Sequence, residues 1–331
     1  MWRYRAALPI TDAEEPTTLG EGTTPLSEQP LLARQVGVRR LWVKDEGVNP
    51  TASFKARGLA AAVTRARLRG VPGLVVPTAG NAGAALAAYG AAAGIAVRVF
   101  VPESTPRPIL LTIQAMGVEL VTVEGHIGDA GRQATQFAQE SGYFNVATLR
   151  EPYRVEGNKT LGLEVAEQLG WRLPDAMVYP TGGGEGVIGI WKAIAEMRDW
   201  GWLDGRAGSA RLIVAQAEGC APLVRALRAG ADRAIPWENP TTHAAGLRVP
   251  GPFGDRLVLR AIRETQGDAE SVSEAAIVRA TRDLASTAGI DAAPEGGCGL
   301  AVIERLVQEG RLDPGSEVVL YNTGSGASYR V

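Results

Sequence analysis

From Leu41 onward the chain alternates short valine-rich apolar runs with longer alanine-rich stretches of helical periodicity, and glycine or proline stands at most junctions. The apolar runs predict strands at Leu41–Val43, Leu74–Val76, Val97–Val101, Glu119–Val123, Ala176–Tyr179, Leu212–Ala215, Ile290–Ala292 and Val318–Tyr321. The periodic stretches predict helices at Ser53–Arg69, Asn81–Ala93, Arg107–Met116, Ile127–Glu140, Val155–Leu169, Val187–Trp200, Pro222–Arg228, Asp255–Thr265, Glu274–Thr287 and Gly297–Gln308. Strands and helices in such regular alternation imply parallel sheets covered on both faces and joined by right-handed crossovers, so the fold class is α/β. Pro236–Pro252 has prolines and glycines but no period, which predicts a long loop of the kind that covers a site. No internal repeat or low-complexity tract is evident, and Ala82–Ala93 is a strong helix former that can pack closely.

Composition narrows the class. A chain of 331 residues, 45% hydrophobic and 21% charged, suits a soluble globular protein of one large or two moderate domains. The formal charge of −2 is spread over interleaved arginines and acids, so the basic face needed for nucleic acid is missing. Cys220 and Cys298 lie far apart, which excludes a disulfide framework and a paired-cysteine metal motif and fits a reducing, cytoplasmic setting. The opening Met1-Trp2-Arg3-Tyr4-Arg5 leads into polar and acidic residues, and no later segment is long and apolar enough to span a bilayer, so no membrane partner is expected. With only His126 and His243, a zinc site or a Ser-His-Asp triad is hard to build; both histidines read as surface or loop residues, and no metal is expected.

Lysine usage points to chemistry. Against thirty arginines there are four lysines, Lys44, Lys55, Lys159 and Lys192. A guanidinium stays protonated, whereas a desolvated amine can lose its proton and condense with an aldehyde. Lys55, in Asn49-Pro50-Thr51-Ala52-Ser53-Phe54-Lys55-Ala56-Arg57-Gly58, is the candidate; the competing reading is a solvated surface charge. Glycine-rich turns follow three predicted strands: Pro77-Thr78-Ala79-Gly80-Asn81-Ala82-Gly83, Pro180-Thr181-Gly182-Gly183-Gly184-Glu185-Gly186 and Asn322-Thr323-Gly324-Ser325-Gly326. At the carboxyl ends of parallel strands such turns open helices whose free amides attract anions. Gly184, Gly186 and Gly189 carry a dinucleotide spacing, but the nearest candidate acid at the end of the next strand, Glu218, comes later than the usual spacing for the ribose. A phosphate cup for another cofactor and a purely structural turn remain open. Gly157-Asn158-Lys159-Thr160 lacks the upstream glycine of a nucleotide P-loop.

Taken in order, these motifs resemble the fold-type II pyridoxal phosphate enzymes, and most closely the threonine synthase branch. Gly20-Glu21-Gly22-Thr23-Thr24-Pro25-Leu26 is similar to the family's N-terminal signature. Lys44-Asp45-Glu46-Gly47 with the Lys55 segment looks like its cofactor-lysine motif, and Arg154-Val155-Glu156-Gly157-Asn158-Lys159-Thr160 and Thr323-Gly324-Ser325-Gly326 resemble two later ones. The resemblance implies two open, twisted, mainly parallel sheet domains with helices on both faces. Residues 1–50 and 150–331 would form a large domain that binds pyridoxal 5′-phosphate, and 51–149 a smaller one, with cofactor and substrate in the cleft between. Lys55 would be catalytic and carry the cofactor as an imine. Asn81 would bond the phenolic oxygen, the amides of Gly182, Gly183, Gly184, Glu185 and Gly186 the phosphate, and Thr323 the ring nitrogen. Asn81 also reads as a helix cap and Thr323 as a strand-end hydroxyl bonded to backbone. Substrate would meet Thr78, Ala79, Gly80, Arg154 and Lys159, the last two reading equally as helix-start or surface charges. The implied activity is a carbon–oxygen lyase turning O-phospho-L-homoserine and water into L-threonine and phosphate, in a cytoplasmic homodimer.

Several positions depart from the family pattern. Ala79 and Ala82 stand where hydroxyl side chains are usual, Leu149 and Glu151 where serine and asparagine are, and Ala56 replaces an aspartate. A glutamate beside a phosphate dianion is repulsive unless protonated or turned away. The cofactor positions are complete while the substrate-phosphate positions are thinned, so β-elimination or β-replacement on serine, threonine or an activated serine is the alternative chemistry. A nicotinamide-dependent oxidoreductase or a non-catalytic binder using the same glycine turns stands as a third reading.

Overall fold

The structure, a computed structural model, describes residues 1–203 and 209–330. In chain order the strands are β1 (Leu26–Glu28), β2 (Arg40–Asp45), β3 (Leu74–Pro77), β4 (Val97–Pro102), β5 (Glu119–Val123), β6 (Phe144–Asn145), β7 (Ala176–Pro180), β8 (Arg211–Ala217), β9 (Asp268–Val272) and β10 (Glu317–Asn322). The helices are α1 (Pro30–Val36), α2 (Lys55–Leu68), α3 (Asn81–Ala93), α4 (Arg107–Ala115), α5 (Ile127–Ser141), α6 (Tyr153–Gln168), α7 (Glu185–Asp199), α8 (Pro222–Arg228), α9 (Asp255–Glu264), α10 (Glu274–Ala288) and α11 (Pro294–Gln308). The chain divides into two compact units, Met1–Gly22 and Asn49–Thr160 with the tail from Ser328, and Thr23–Val48 with Leu161–Ala327.

The first unit is built on a four-stranded parallel sheet of order β5-β4-β3-β6. Successive side chains of a strand point to opposite faces, and both faces are used. Leu74 and Val76 of β3 join Leu59 and Val63 of α2 and Leu86 of α3 in one core, whereas Val75 packs with Phe100, Ala130 and Ala134 on the α5 side. Residues 1–22 belong to this unit, although 1–50 was expected to go with the larger domain. Their anchor is the buried carboxylate of Glu21, which accepts from Trp2 Nε1 (2.5 Å), Thr18 Oγ1 (3.2 Å) and Tyr89 Oη (2.6 Å).

The second unit holds a six-stranded sheet of order β1-β2-β10-β7-β8-β9, parallel except for the edge pair β1–β2. One face is covered by α1, α10 and α11 through Leu32, Val36, Ile277, Leu284, Val302 and Leu306. Predicted strand Ile290–Ala292 is not one. Gly289, at φ +68°, ends α10 and Pro294 begins α11, which leaves room only for a single bridge from Ala292 to Ser325. The short β1, β6 and α1 and the strand β9 were not predicted. In β9, Glu270 is fully buried and breaks the apolar pattern; Arg228 and Arg311 donate to its carboxylate. Among the described residues no helix is long and apolar enough to cross a membrane.

Candidate active site

In the first unit the turn before Lys55 is set by its backbone. Ala52 N bonds to Asn49 O (2.8 Å), Ala52 sits at φ +54°, where a side chain is uncommon, and the buried Asn49 carboxamide accepts from Gly22 N (3.0 Å). Lys55 is therefore the first residue of α2, half-buried, with Nζ 4.4 Å from the centre of the Phe54 ring. Further along α2, Gly58 faces α6: a Cβ there would lie 2.9 Å from Arg154 O and 3.1 Å from Asn158 Oδ1. A Cβ on Gly157 would overlap the carbonyl of Arg57. The fully buried Arg57 guanidinium closes the same crossing by donating to Thr160 Oγ1 (3.0 Å). Two motifs remote in sequence are thus one backbone-close helix contact, and it fixes the helix that begins at Lys55.

The β3 turn presents Thr78, Ala79, Gly80 and Asn81. Thr78 Oγ1 accepts from Gly80 N (3.0 Å) and donates to Gly80 O (3.1 Å), which shapes the turn from within. Gly80, not Asn81, is the N-cap of α3, and no side chain caps that helix. Among the described residues the half-buried Asn81 carboxamide makes no hydrogen bond, so the cap reading does not describe it. Arg154 and Lys159 are both buried: Arg154 Nη1 donates to Val146 O (2.6 Å), and Lys159 Nζ pairs with Glu156 (2.7 Å). Glu151, which looked repulsive in sequence, is itself buried and accepts from the amides of Tyr153 (2.5 Å) and Arg154 (3.2 Å), so that it caps α6. Leu149 sits at φ +58° in the turn just before it.

In the second unit, β7 and β10 are neighbours, and their carboxyl ends carry the Gly182 turn and Thr323. Each of three glycines in the turn is required. A Cβ on Gly182 would overlap the carbonyl of Gly246, one on Gly186 would overlap the Tyr179 phenol, and Gly184 has φ +97° with Val258 Cγ2 2.5 Å from its Cβ position. Gly184 is also the N-cap of α7 and supplies no side chain, and a helix start of this kind favours an anion. Gly246 belongs to the long loop and is held by Glu295, whose Oε1 accepts from Gly246 N (2.8 Å). Neither residue stood out in sequence; a glycine inside a proline-rich loop was the only signal. Thr323 is buried and, among the described residues, its hydroxyl makes no hydrogen bond, which removes the backbone-bonded reading. Glu218, the acid a dinucleotide reading needs, pairs instead with Arg305 (3.0 Å).

These features fit pyridoxal phosphate. In the second unit the glycine cradle at the start of α7 suits a phosphate, and among the described residues the Thr323 hydroxyl has no internal partner; in the first unit the Asn81 carboxamide likewise has none, and each is the kind of group that a polar atom of the cofactor can satisfy. Buried Lys44, by contrast, is saturated: its Nζ donates to Thr24 O (2.8 Å), Glu164 (2.9 Å) and Gln168 (2.8 Å). Its role is structural.

Comparison with known proteins agrees with this geometry. The family model "Pyridoxal-phosphate dependent enzyme" matches residues 17–324. Threonine synthase of Methanosarcina acetivorans is 36% identical over 98% of this chain and 79% of its own length. That of Methanocaldococcus jannaschii is 36% identical over 98% and 80%. Among solved structures, maize serine racemase superposes with a TM-score of 0.79 at 22% identity, covering 92% of this chain and 88% of that one; it is a likeness of fold.

Proposed function

The chain belongs to the pyridoxal-phosphate-dependent enzymes, in their threonine synthase-like branch, and on that premise we propose that it converts O-phospho-L-homoserine and water to L-threonine and phosphate. The observation that carries the substrate is the nearly full-length likeness to threonine synthases. Bound pyridoxal phosphate supplies an aldehyde that links to an amino group and a ring that takes up negative charge from the adjoining carbons.

In this reading Lys55 Nζ would hold the cofactor, and the same amine, when free, would take and relay protons at the substrate α and β carbons. Asn81 bonds the phenolic oxygen. The amides of Gly182, Gly183, Gly184, Glu185 and Gly186 bind the phosphate at the positive end of α7. Thr323 meets the ring nitrogen with a hydroxyl that, unlike a carboxylate, need not keep it protonated; elimination and replacement then suit the site better than transamination. Arg154 and Lys159 supply positive charge for the substrate phosphate with a hydroxyl from Thr78, and Ala79 and Gly80 line the substrate. The unit around Asn49–Thr160 would be the smaller domain and that of Leu161–Ala327 the larger, cofactor-binding one. A cytoplasmic homodimer completes the proposal, and light scattering tests the dimer.

The test is turnover by purified holoenzyme, which should release threonine and phosphate in equal amounts from O-phosphohomoserine. The internal partners of Arg154 and Lys159, together with Ala79 and Ala82, favour a second reading, β-elimination or β-replacement on serine, threonine or an activated serine. It takes over if O-phosphohomoserine is inert and a 2-oxo acid or a β-substituted product forms instead.

A further inference from the structure

We propose that Asp45 is a positioning residue for Thr323, acting through hydrogen bonds and contacts that fix the backbone on both sides of that hydroxyl. The inference rests on the reading of Thr323 as the ring-nitrogen partner and goes beyond it, because Asp45 lies on another strand and is no part of the cofactor set.

Asp45 is the last residue of β2 and stands directly opposite Asn322, the last of β10, in the parallel register. Its Oδ1 accepts from Asn322 Nδ2 (2.8 Å) and from Gly47 N (3.0 Å). Asn322 is fully buried and precedes Thr323, so this bond sets the strand end from which Thr323 projects. The other side is held by the turn that Asp45 closes. A Cβ on Gly47 would lie 3.1 Å from Ser325 N and 3.2 Å from Gly324 C, so the turn rests against the two residues after Thr323. Ala293 N bonds to Gly324 O (2.9 Å), and Gly296 leaves the space that Asn322 Oδ1 fills, since a Cβ there would come within 2.5 Å of it. One carboxylate oxygen therefore ties residue 322 from one direction and shapes the turn that meets 324 and 325 from the other. A strand end that needed only to be buried would not require a half-buried carboxylate whose two donors both bear on Thr323.

The experiment compares Asp45→Ala, Asp45→Asn and Thr323→Ala by the visible absorption of the holoenzyme, by titration of apoprotein with pyridoxal phosphate, and by the melting temperature of the apoprotein. Asp45→Ala should move the absorption maximum in the same direction as Thr323→Ala and weaken cofactor binding by up to about tenfold, the worth of one well-placed hydrogen bond. Asp45→Asn keeps an oxygen for both donors and should retain the wild-type spectrum. If Asp45→Ala lowers only the melting temperature and leaves spectrum and affinity unchanged, the proposal is overturned; so it is if Asp45→Asn behaves like Asp45→Ala. A Thr323→Ala spectrum identical to wild type would instead overturn the assignment of Thr323. Should Asp45→Ala not fold, Asn322→Ser breaks the same bond from its other end and is read in the same way.

Discussion

Lys44 and Lys55 belong to one stretch of sequence, yet the surroundings give their amines opposite uses. Lys44 spends all three protons on Thr24 O, Glu164 and Gln168 in a fully buried site. Replacing it by methionine leaves Glu164 buried without its cation, and a loss of about 3–5 kcal/mol is expected in urea unfolding. Lys55 is half-buried at a helix start and meets an aromatic face. Lys55→Ala is expected to remove the visible absorption of the holoenzyme and to lower kcat/KM by at least about a thousandfold, while stability changes by less than about 1 kcal/mol. Lys55→Arg should be equally inactive, because a guanidinium retains charge but cannot form the imine.

At the scale of elements, the crossing of α2 and α6 depends on two glycines and one capped end. Gly157→Ala sets a methyl against the Arg57 carbonyl and the Cα of Gly58, neither of which can swing aside. A cost of about 1–3 kcal/mol is expected by denaturant titration, with activity falling further than stability because the displaced helix begins at Lys55. Glu151→Ala should cost about 1 kcal/mol through the lost cap of α6. Were Glu151 instead a charge facing the substrate, Glu151→Asn would raise turnover of a phosphorylated substrate, so the pair of variants separates the two roles. The sequence made legible those elements whose limits are punctuated, such as α3, opening after Gly80, and α8, opening on Pro222. It also exposed the Gly182 turn, because glycine there answers a local steric demand. It did not reveal β9, whose inward carboxylate is paired with arginines on distant elements, nor that the Lys55 and Gly157 segments touch. Glu151 was visible as a departure, but its purpose needed the position of the α6 amides.

For the molecule as a whole, pH sensitivity follows from buried carboxylates in the second unit. Burial alone would raise Glu317 and Glu270, but hydrogen bonds from Arg172 and Trp42 to the first, and from Arg311, Ser271 N and Arg228 to the second, outweigh it and hold both below the ordinary carboxylate range. A depressed native pKa adds stability above the unfolded value, 4.5 for glutamate, and that stability is lost as pH falls through the native one. Asp45 opposes them: burial raises it, so its own contribution declines as pH rises from 3.8. With two groups against one, the urea midpoint is expected to drop on acidification below about pH 4.5, and Glu317→Gln should flatten that drop. The scarcity of lysine has a practical consequence at this scale. Lys44 lies sealed in one unit and Lys159 in the other, whereas Lys192 is only half-buried beside Glu196. A brief pulse of an acylating reagent during unfolding, read by peptide mass, should tag Lys192 at once, Lys159 when the first unit opens and Lys44 when the second does, so that two native residues time the opening of each half without any introduced label.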